Sequence, residues 1–338
     1  MEIIKNIKKN TIILLIITFL ILYFILKDDL YSVMIALKTM DYRFIILAII
    51  IFFLSVIIKS YAVYKTVNNK KKFTLMESIK HSIIVQFFNG ITPFSSGGQP
   101  MEIYMLTEHD IPTTTATNII IQNFIFYQTA LVLYGVIAVG YNSIFHIFPK
   151  IPFLQKLVLI GFTINILVAI GLFIITFSKK LTRTLTVPII NILGKLHILK
   201  DKSLTKENWR IRLEEFHESA KKLRKRKKLF IEGVLLNFIS LTLLYSIPLF
   251  IIYALHDYNS ISLMQTITSS AYVLIIGAFV PIPGASGGIE YGFFQFFGNF
   301  LNKNIIATCL LIWRFITYYL GMIIGAMALS LEKKGDKS

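Results

Sequence analysis

The sequence predicts an all-α polytopic integral membrane protein, with about six spans and two re-entrant Gly/Pro hairpins arranged as an inverted internal repeat. Three observations carry this. The 338 residues are 55% hydrophobic with a mean hydropathy of +0.68, above the roughly 45–50% apolar content of soluble domains. A pattern Pro-x-Ser/Ala-Ser-Gly-Gly occurs twice, as Pro93-Phe-Ser-Ser-Gly-Gly98 and Pro283-Gly-Ala-Ser-Gly-Gly288, at an offset of 190 residues. The basic residues sit between apolar stretches, so the net charge of +17 points to topology and anionic lipid heads, not to nucleic acid.

The repeat extends beyond the motif. Thr74-Leu-Met-Glu-Ser-Ile79 matches Ser262-Leu-Met-Gln-Thr-Ile267 at an offset of 188, so a two-residue insertion in the second copy aligns both blocks. A glutamate follows each motif, Glu102 in the first copy and Glu290 in the second. Helix cannot run through these motifs, because proline removes backbone donors and glycine favours turn dihedrals. Irregular backbone at bilayer depth is tolerated only inside protein or along a watery cavity. Each motif is therefore a candidate site.

Taken in order, residues 11–26 form a first span behind Lys5, Lys8 and Lys9. Lys27-Asp28-Asp29 follows without a small-residue cleavage site, so the span is read as uncleaved. Further spans fall at about 44–67, 117–140, 153–177, 229–255 and 305–331, with the Gly/Pro elements at about 75–106 and 263–300. Residues 178–228 hold sixteen Lys/Arg against five Asp/Glu, a net of +11, and belong in the cytoplasm by the positive-inside rule. Within them Trp209, Leu213, Phe216, Ala220 and Leu223 recur at helical spacing, which predicts an amphipathic helix on the cytoplasmic face.

Parity fixes the hairpins. If the first element returns to its own side, the N-terminal lysines, Lys65 to Lys80, the 178–228 segment and Lys333, Lys334 and Lys337 all face the cytoplasm. A single crossing there would split them. The expected organisation is thus a first membrane half with the start of the second repeat (1–177), a basic cytoplasmic linker (178–228), the remaining second-half segments (229–331) and a cytoplasmic tail (332–338) in a multi-pass cell-membrane protein. Three spans per half invert the second copy, so one hairpin enters from each face.

The stretches Phe88-Asn-Gly-Ile-Thr-Pro-Phe-Ser-Ser-Gly-Gly-Gln-Pro-Met-Glu-Ile-Tyr104, Pro281-Ile-Pro-Gly-Ala-Ser-Gly-Gly-Ile-Glu290 and Arg314-Phe-Ile-Thr-Tyr-Tyr-Leu-Gly321 resemble the flippase-like membrane domain of lysylphosphatidylglycerol synthases. The similarity covers nearly the whole chain. It implies movement of a phospholipid, such as aminoacylated phosphatidylglycerol, between leaflets, with an effect on resistance to cationic peptides. Full-length synthases of that family carry a soluble C-terminal acyltransferase domain, and no such domain follows the last span before Ser338. Transferase chemistry is therefore not expected, although a lipid-modifying enzyme of the phosphatidylglycerol lysyltransferase type, or its non-catalytic membrane subunit, is the alternative class. Expected partners are an anionic or aminoacylated phospholipid and either a second copy of the chain or a separate synthase.

The candidate site residues are Pro93, Ser96, Gly97, Gly98, Gln99 and Glu102 at the first motif, Pro283, Gly284, Ser286, Gly287, Gly288 and Glu290 at the second, and Arg314 in the last span. Free amides of the two Ser-Gly-Gly turns could cradle a phosphate. Arg314 sits about a third of the way into its span, where a charge costs roughly 2.5–3.5 kcal/mol and something must offset it. Two readings stand: a forked donor to a lipid phosphate, or an ion pair with Glu290 or Glu102. Each glutamate is likewise either a first-turn carboxylate on a helix dipole or the partner of a cationic head group. His81, His109, His146, His197, His217 and His256 lack metal-ligand spacing, no nucleotide loop is present and Cys309 stands alone, so no metal or cofactor is expected. Gly321-Met-Ile-Ile-Gly325 fits close helix packing.

Overall fold

The computed structural model describes residues 30–67, 73–149, 151–180, 184, 214, 218, 226–278 and 280–335. The expected span 11–26 and the amphipathic helix at 209–223 lie outside the described residues, apart from Glu214 and Glu218, which are helical. Among the described residues there is helix and no strand. The order is α1 (Leu30–Thr39), α2 (Tyr42–Thr66), α3 (Leu75–Ile91), α4 (Gly98–Glu108), α5 (Thr113–Phe145), α6 (Pro152–Phe177), α7 (Lys227–Ala254), α8 (Leu263–Gly277), α9 (Gly288–Phe297), α10 (Lys303–Arg314) and α11 (Leu320–Gly335). Five stretches are long and apolar enough to cross a membrane: Tyr42–Thr66, Thr113–Phe145, Pro152–Ile174, Lys227–Ala254 and Ile305–Ser330.

The two copies fold alike because the same local chemistry starts each element. Thr74 and Ser262 each form a capping box, with Glu77 and Gln265 returning a hydrogen bond to the cap backbone. That is the physical content of the upstream sequence match. Each box opens a first hairpin arm, α3 or α8, which stops at a short 3₁₀ turn headed by Pro93 or Pro283. The second arms, α4 and α9, then lead to the long helices α5 and α10–α11.

Helices α2 and α7 run in opposite directions. The start of α2 meets the end of α7 through the Asp41 N–H and the Ala254 carbonyl (2.8 Å), and the end of α2 meets the start of α7 through Lys65 and Glu232 (2.6 Å). Between them the Ser240 hydroxyl donates to the Ser55 carbonyl, so the two helices are antiparallel along their length. The hairpin roots also separate. Val67, Phe73, Leu106 and Ile111 cluster at the root of the first hairpin. Ile261, Phe297 and Leu301 pack with Phe148 at the root of the second.

Each hairpin is clamped by a long helix of the other copy, and glycine makes that approach feasible. On α11, a side chain at Gly325 would stand 2.5 Å from the Ile83 carbonyl of α3, and one at Gly321 would meet Phe52 and Gln86. The Gly321/Gly325 pair is thus close packing within the chain, as its spacing predicts. On the other side a side chain at Gly161 of α6 would collide with the Ile275 carbonyl of α8, and Gly135 of α5 makes room for Phe162 of α6 with Ile275 at contact distance.

Candidate functional site at the paired helix breaks

The two 3₁₀ tips touch one another. Their backbones begin identically: Phe94 and Gly284 have φ of 55° and 65°, and the next residues, Ser95 and Ala285, have φ of 52° and 51°. The repeat is therefore one of conformation as well as sequence, and left-handed backbone is held at three positions that lack glycine's freedom. The copies part at the fourth residue of the motif. Ser96 stays near the helical region (φ −85°, ψ −11°), whereas Ser286 is extended (ψ 141°) and Gly287 compensates at φ 88°.

This divergence reorganises the hydrogen bonds. In the first tip the Gly97 N–H donates to Thr92 Oγ1 (2.8 Å) and the Gly98 N–H to Asn89 Oδ1 (3.0 Å). In the second, the Gly287 N–H donates to Glu290 Oε2 (2.6 Å). Three of the turn amides expected to be open for a phosphate, those of Gly97, Gly98 and Gly287, are engaged by the protein's own side chains. Asn89 and Thr92 lie inside the recognisable first motif, but their role needed the turn geometry to be seen.

Glu290 is the hub of the second tip. It is third in the first turn of α9, so the helix-dipole reading holds, and its other oxygen accepts from Arg314 Nε (2.7 Å) and is ion-paired with Nη2 at 2.5 Å. Arg314 Nη2 also donates to the Gly284 carbonyl (3.0 Å). Arg314 and Glu290 are 4% and 5% exposed, so the pair replaces water for both charges at the depth where an unpaired charge is costly. The ion-pair reading of Arg314 is realised with Glu290. It excludes neither charge from a ligand.

Tyr318 was not singled out from the sequence, yet it joins the two copies. Residues 315–319 form a π-helical turn between α10 and α11, which rotates Tyr318 toward the tips. Its hydroxyl donates to the Gly90 carbonyl at the end of α3 (2.7 Å), its ring fills the space beside Gly284, and the Arg314 guanidinium lies 5.1 Å from the ring centroid. Any side chain at Gly284 would collide with that ring.

The remaining candidates divide. Pro93 and Ser96 are exposed at the first tip with Phe94 and Ser95, Gln99 is half-buried on α4, and Pro283 and buried Ser286 complete the second tip. Gly288 is helical, so its constraint is contact with Val280, not a turn dihedral; the positive-φ glycines are Gly284 and Gly287. Glu102 departs from expectation. It is fifth in α4, outside the first turn, and the repeat offset of 190 aligns Glu290 with Pro100 instead. Its electrostatic neighbour is Lys59 of α2. Among the described residues no group of three or more His, Cys, Asp or Glu could hold a metal ion.

Comparison with known proteins agrees with this geometry. A UPF0104 membrane protein of Archaeoglobus fulgidus is 23% identical over 268 residues, covering 77% of either chain. The family model described as the lysylphosphatidylglycerol synthase TM region matches residues 11–325, which takes in both hairpins, Arg314 and Tyr318. With that much of its length matched, the chain belongs to the lysylphosphatidylglycerol synthase transmembrane-region family.

Proposed function

We propose that this protein moves a phospholipid between membrane leaflets, with the paired tips as the point the head group must pass. The observation that carries this is the meeting of two interrupted helices from antiparallel copies around a buried Arg314–Glu290 pair. Inverted repeats with broken helices facing each other build one site that can open alternately to either side. The opposed hairpin roots and the antiparallel α2 and α7 support an inverted repeat with the basic linker on the cytoplasmic side.

The chemistry of the tips suits an anionic or zwitterionic head group. A phosphate competes with Glu290 for the guanidinium, since each presents a pair of anionic oxygens that forked donors can reach together. The released carboxylate is then available to an ammonium group such as that of an aminoacyl head. Exposure of Pro93, Phe94, Ser95 and Ser96 gives an approach to the pair from the first tip. Aminoacylated phosphatidylglycerol fits this two-sign site, and its export would lower the surface's attraction for cationic peptides.

The test is movement of a tail-labelled phosphatidylglycerol in vesicles containing the purified protein, read by accessibility to a membrane-impermeant quencher. Wild-type protein is expected to equilibrate the label. Arg314→Lys should slow this by one order of magnitude or more, because an ammonium loses the fork that serves Glu290, Gly284 and phosphate together, about 1.4 kcal/mol per tenfold. Wild-type rates in a well-folded Arg314→Lys protein would exclude the tips as the path.

A further inference from the structure

The two copies treat their intramembrane carboxylates in opposite ways. Glu290 is saturated, with one oxygen held by Arg314 and the other by the Gly287 amide. Glu102, on α4 one turn beyond the first tip, makes no hydrogen bond and no ion pair among the described residues. Lys59 on α2 acts on it through space, and Lys59 itself stands over the Tyr127 ring of α5, 5.2 Å from the centroid, without a salt-bridge partner. Glu102, Lys59 and Tyr127 are all half-buried within the protein.

The surroundings leave Glu102 no other control. Val85 and Phe88 of α3 and Ala328 and Leu329 of α11 pack with Met101 and Met105 beside it, an apolar wall. The titratable groups of α3, namely Glu77, Lys80 and His81, belong to the hairpin root, where Glu77 reaches His109 at 3.6 Å. Lys59 from α2 is thus the charge that acts on Glu102, and Tyr127 from α5 lies against Lys59. A carboxylate fixed by an ion pair keeps its charge through a transport cycle; one without a donor gains or loses a proton as the supply and the local field change.

The geometry points to Glu102 as a proton-binding site that couples lipid movement to a transmembrane proton gradient, with Lys59 as the positioning charge beside it. The inference rests on the transport reading and supplies its energy source. Protonation of the Glu102 carboxylate at one face removes its charge from α4 and its attraction to Lys59, which frees the first hairpin to shift against α2. Release of the same proton at the other face restores the attraction. One proton is taken up and one is given back, with no other change in the protein.

The experiment imposes a pH step of one unit across vesicles holding the full chain, in sodium-free potassium buffer clamped with valinomycin, and reads the leaflet distribution of tail-labelled phosphatidylglycerol. One coupled proton biases that distribution up to about tenfold at equilibrium, and a protonophore should abolish the bias. Glu102→Gln is expected to hold the distribution at its no-gradient ratio. Lys59→Met should move the pH at which the bias develops upward, because loss of the nearby cation makes the carboxylate easier to protonate. This second variant decides the matter if Glu102→Gln does not fold. A wild-type distribution indifferent to the gradient, while lipid still equilibrates, would overturn the coupling and leave the transport reading intact. So would an undiminished bias in Glu102→Gln, or an unmoved midpoint in Lys59→Met. Absence of lipid movement in every condition would instead remove the transport reading on which the inference stands.

Discussion

At the scale of single residues, the Arg314–Glu290 pair sets the energetic terms of the site. Both charges are almost wholly enclosed and share three of their hydrogen bonds with each other and with tip backbone. Removing one partner leaves the other uncompensated, which costs about 3–5 kcal/mol for buried pairs, whereas removing both with apolar replacements costs far less. Glu290→Leu and Arg314→Met are therefore each expected to lower the unfolding midpoint in detergent, and the double variant Glu290→Leu/Arg314→Met to recover much of that loss. Additive losses would mean the two charges do not stabilise one another. The tip residues follow a different logic. Gly284 holds φ 65° against the Tyr318 ring, so Gly284→Ala meets both strain and collision, while Phe94 holds nearly the same φ with its side chain 60% exposed. Phe94→Gly should consequently be neutral or stabilising where Gly284→Ala destabilises, a contrast that thermal unfolding of the two proteins would measure. What the sequence made legible here was which residues matter, through the repeated motif and the isolated arginine. Pairwise roles were not legible, since Glu102 and Glu290 look equivalent on paper and differ by two positions once the 190-residue offset is applied.

At the scale of elements, the hairpin starts near 75 and 263 were legible through the repeated block, and their physical cause is the capping box that Thr74 and Ser262 each form. The interruption of the last span at 315–319 was not, because a π-helical turn has no composition of its own and here Phe-Ile-Thr-Tyr-Tyr reads as ordinary helix. Its effect is visible only through Tyr318, whose contacts to Gly90 and Gly284 tie the hairpins of the two copies together. The packing of α3 on α11 gives an element-scale prediction. A side chain at Gly325 must displace the Ile83 carbonyl and Phe87, neither of which can yield cheaply, whereas one at Gly171 meets nothing within 4 Å. Gly325→Leu should destabilise the protein by about 1–3 kcal/mol through overpacking, and Gly171→Leu should not. Equal unfolding midpoints for the two variants would show that α11 does not clamp the first hairpin.

At the scale of the whole molecule, the arrangement turns on direction. Helices α2 and α7 run antiparallel, with Lys65 beside Glu232 at one end and Asp41 beside Ala254 at the other. The Lys65 end also carries the first hairpin's root and the end of α6, where Phe173 meets Phe230 near the start of α7, and the positive-inside rule makes it the expected cytoplasmic end. The other end carries the second hairpin's root, Phe148 and the start of α10. The expectation is that Thr107, at the foot of the first hairpin, faces the cytoplasm, and that Asn302, at the foot of the second, faces outward. Cys309 is fully buried, so single cysteines can be placed at either position without interference from the native thiol. In intact cells an impermeant maleimide should label Asn302→Cys, and Thr107→Cys should react only after the membrane is opened. Both positions labelling from the same face would require the hairpins to enter from one side, and tips arriving from one side could not form a barrier between two alternately opened paths.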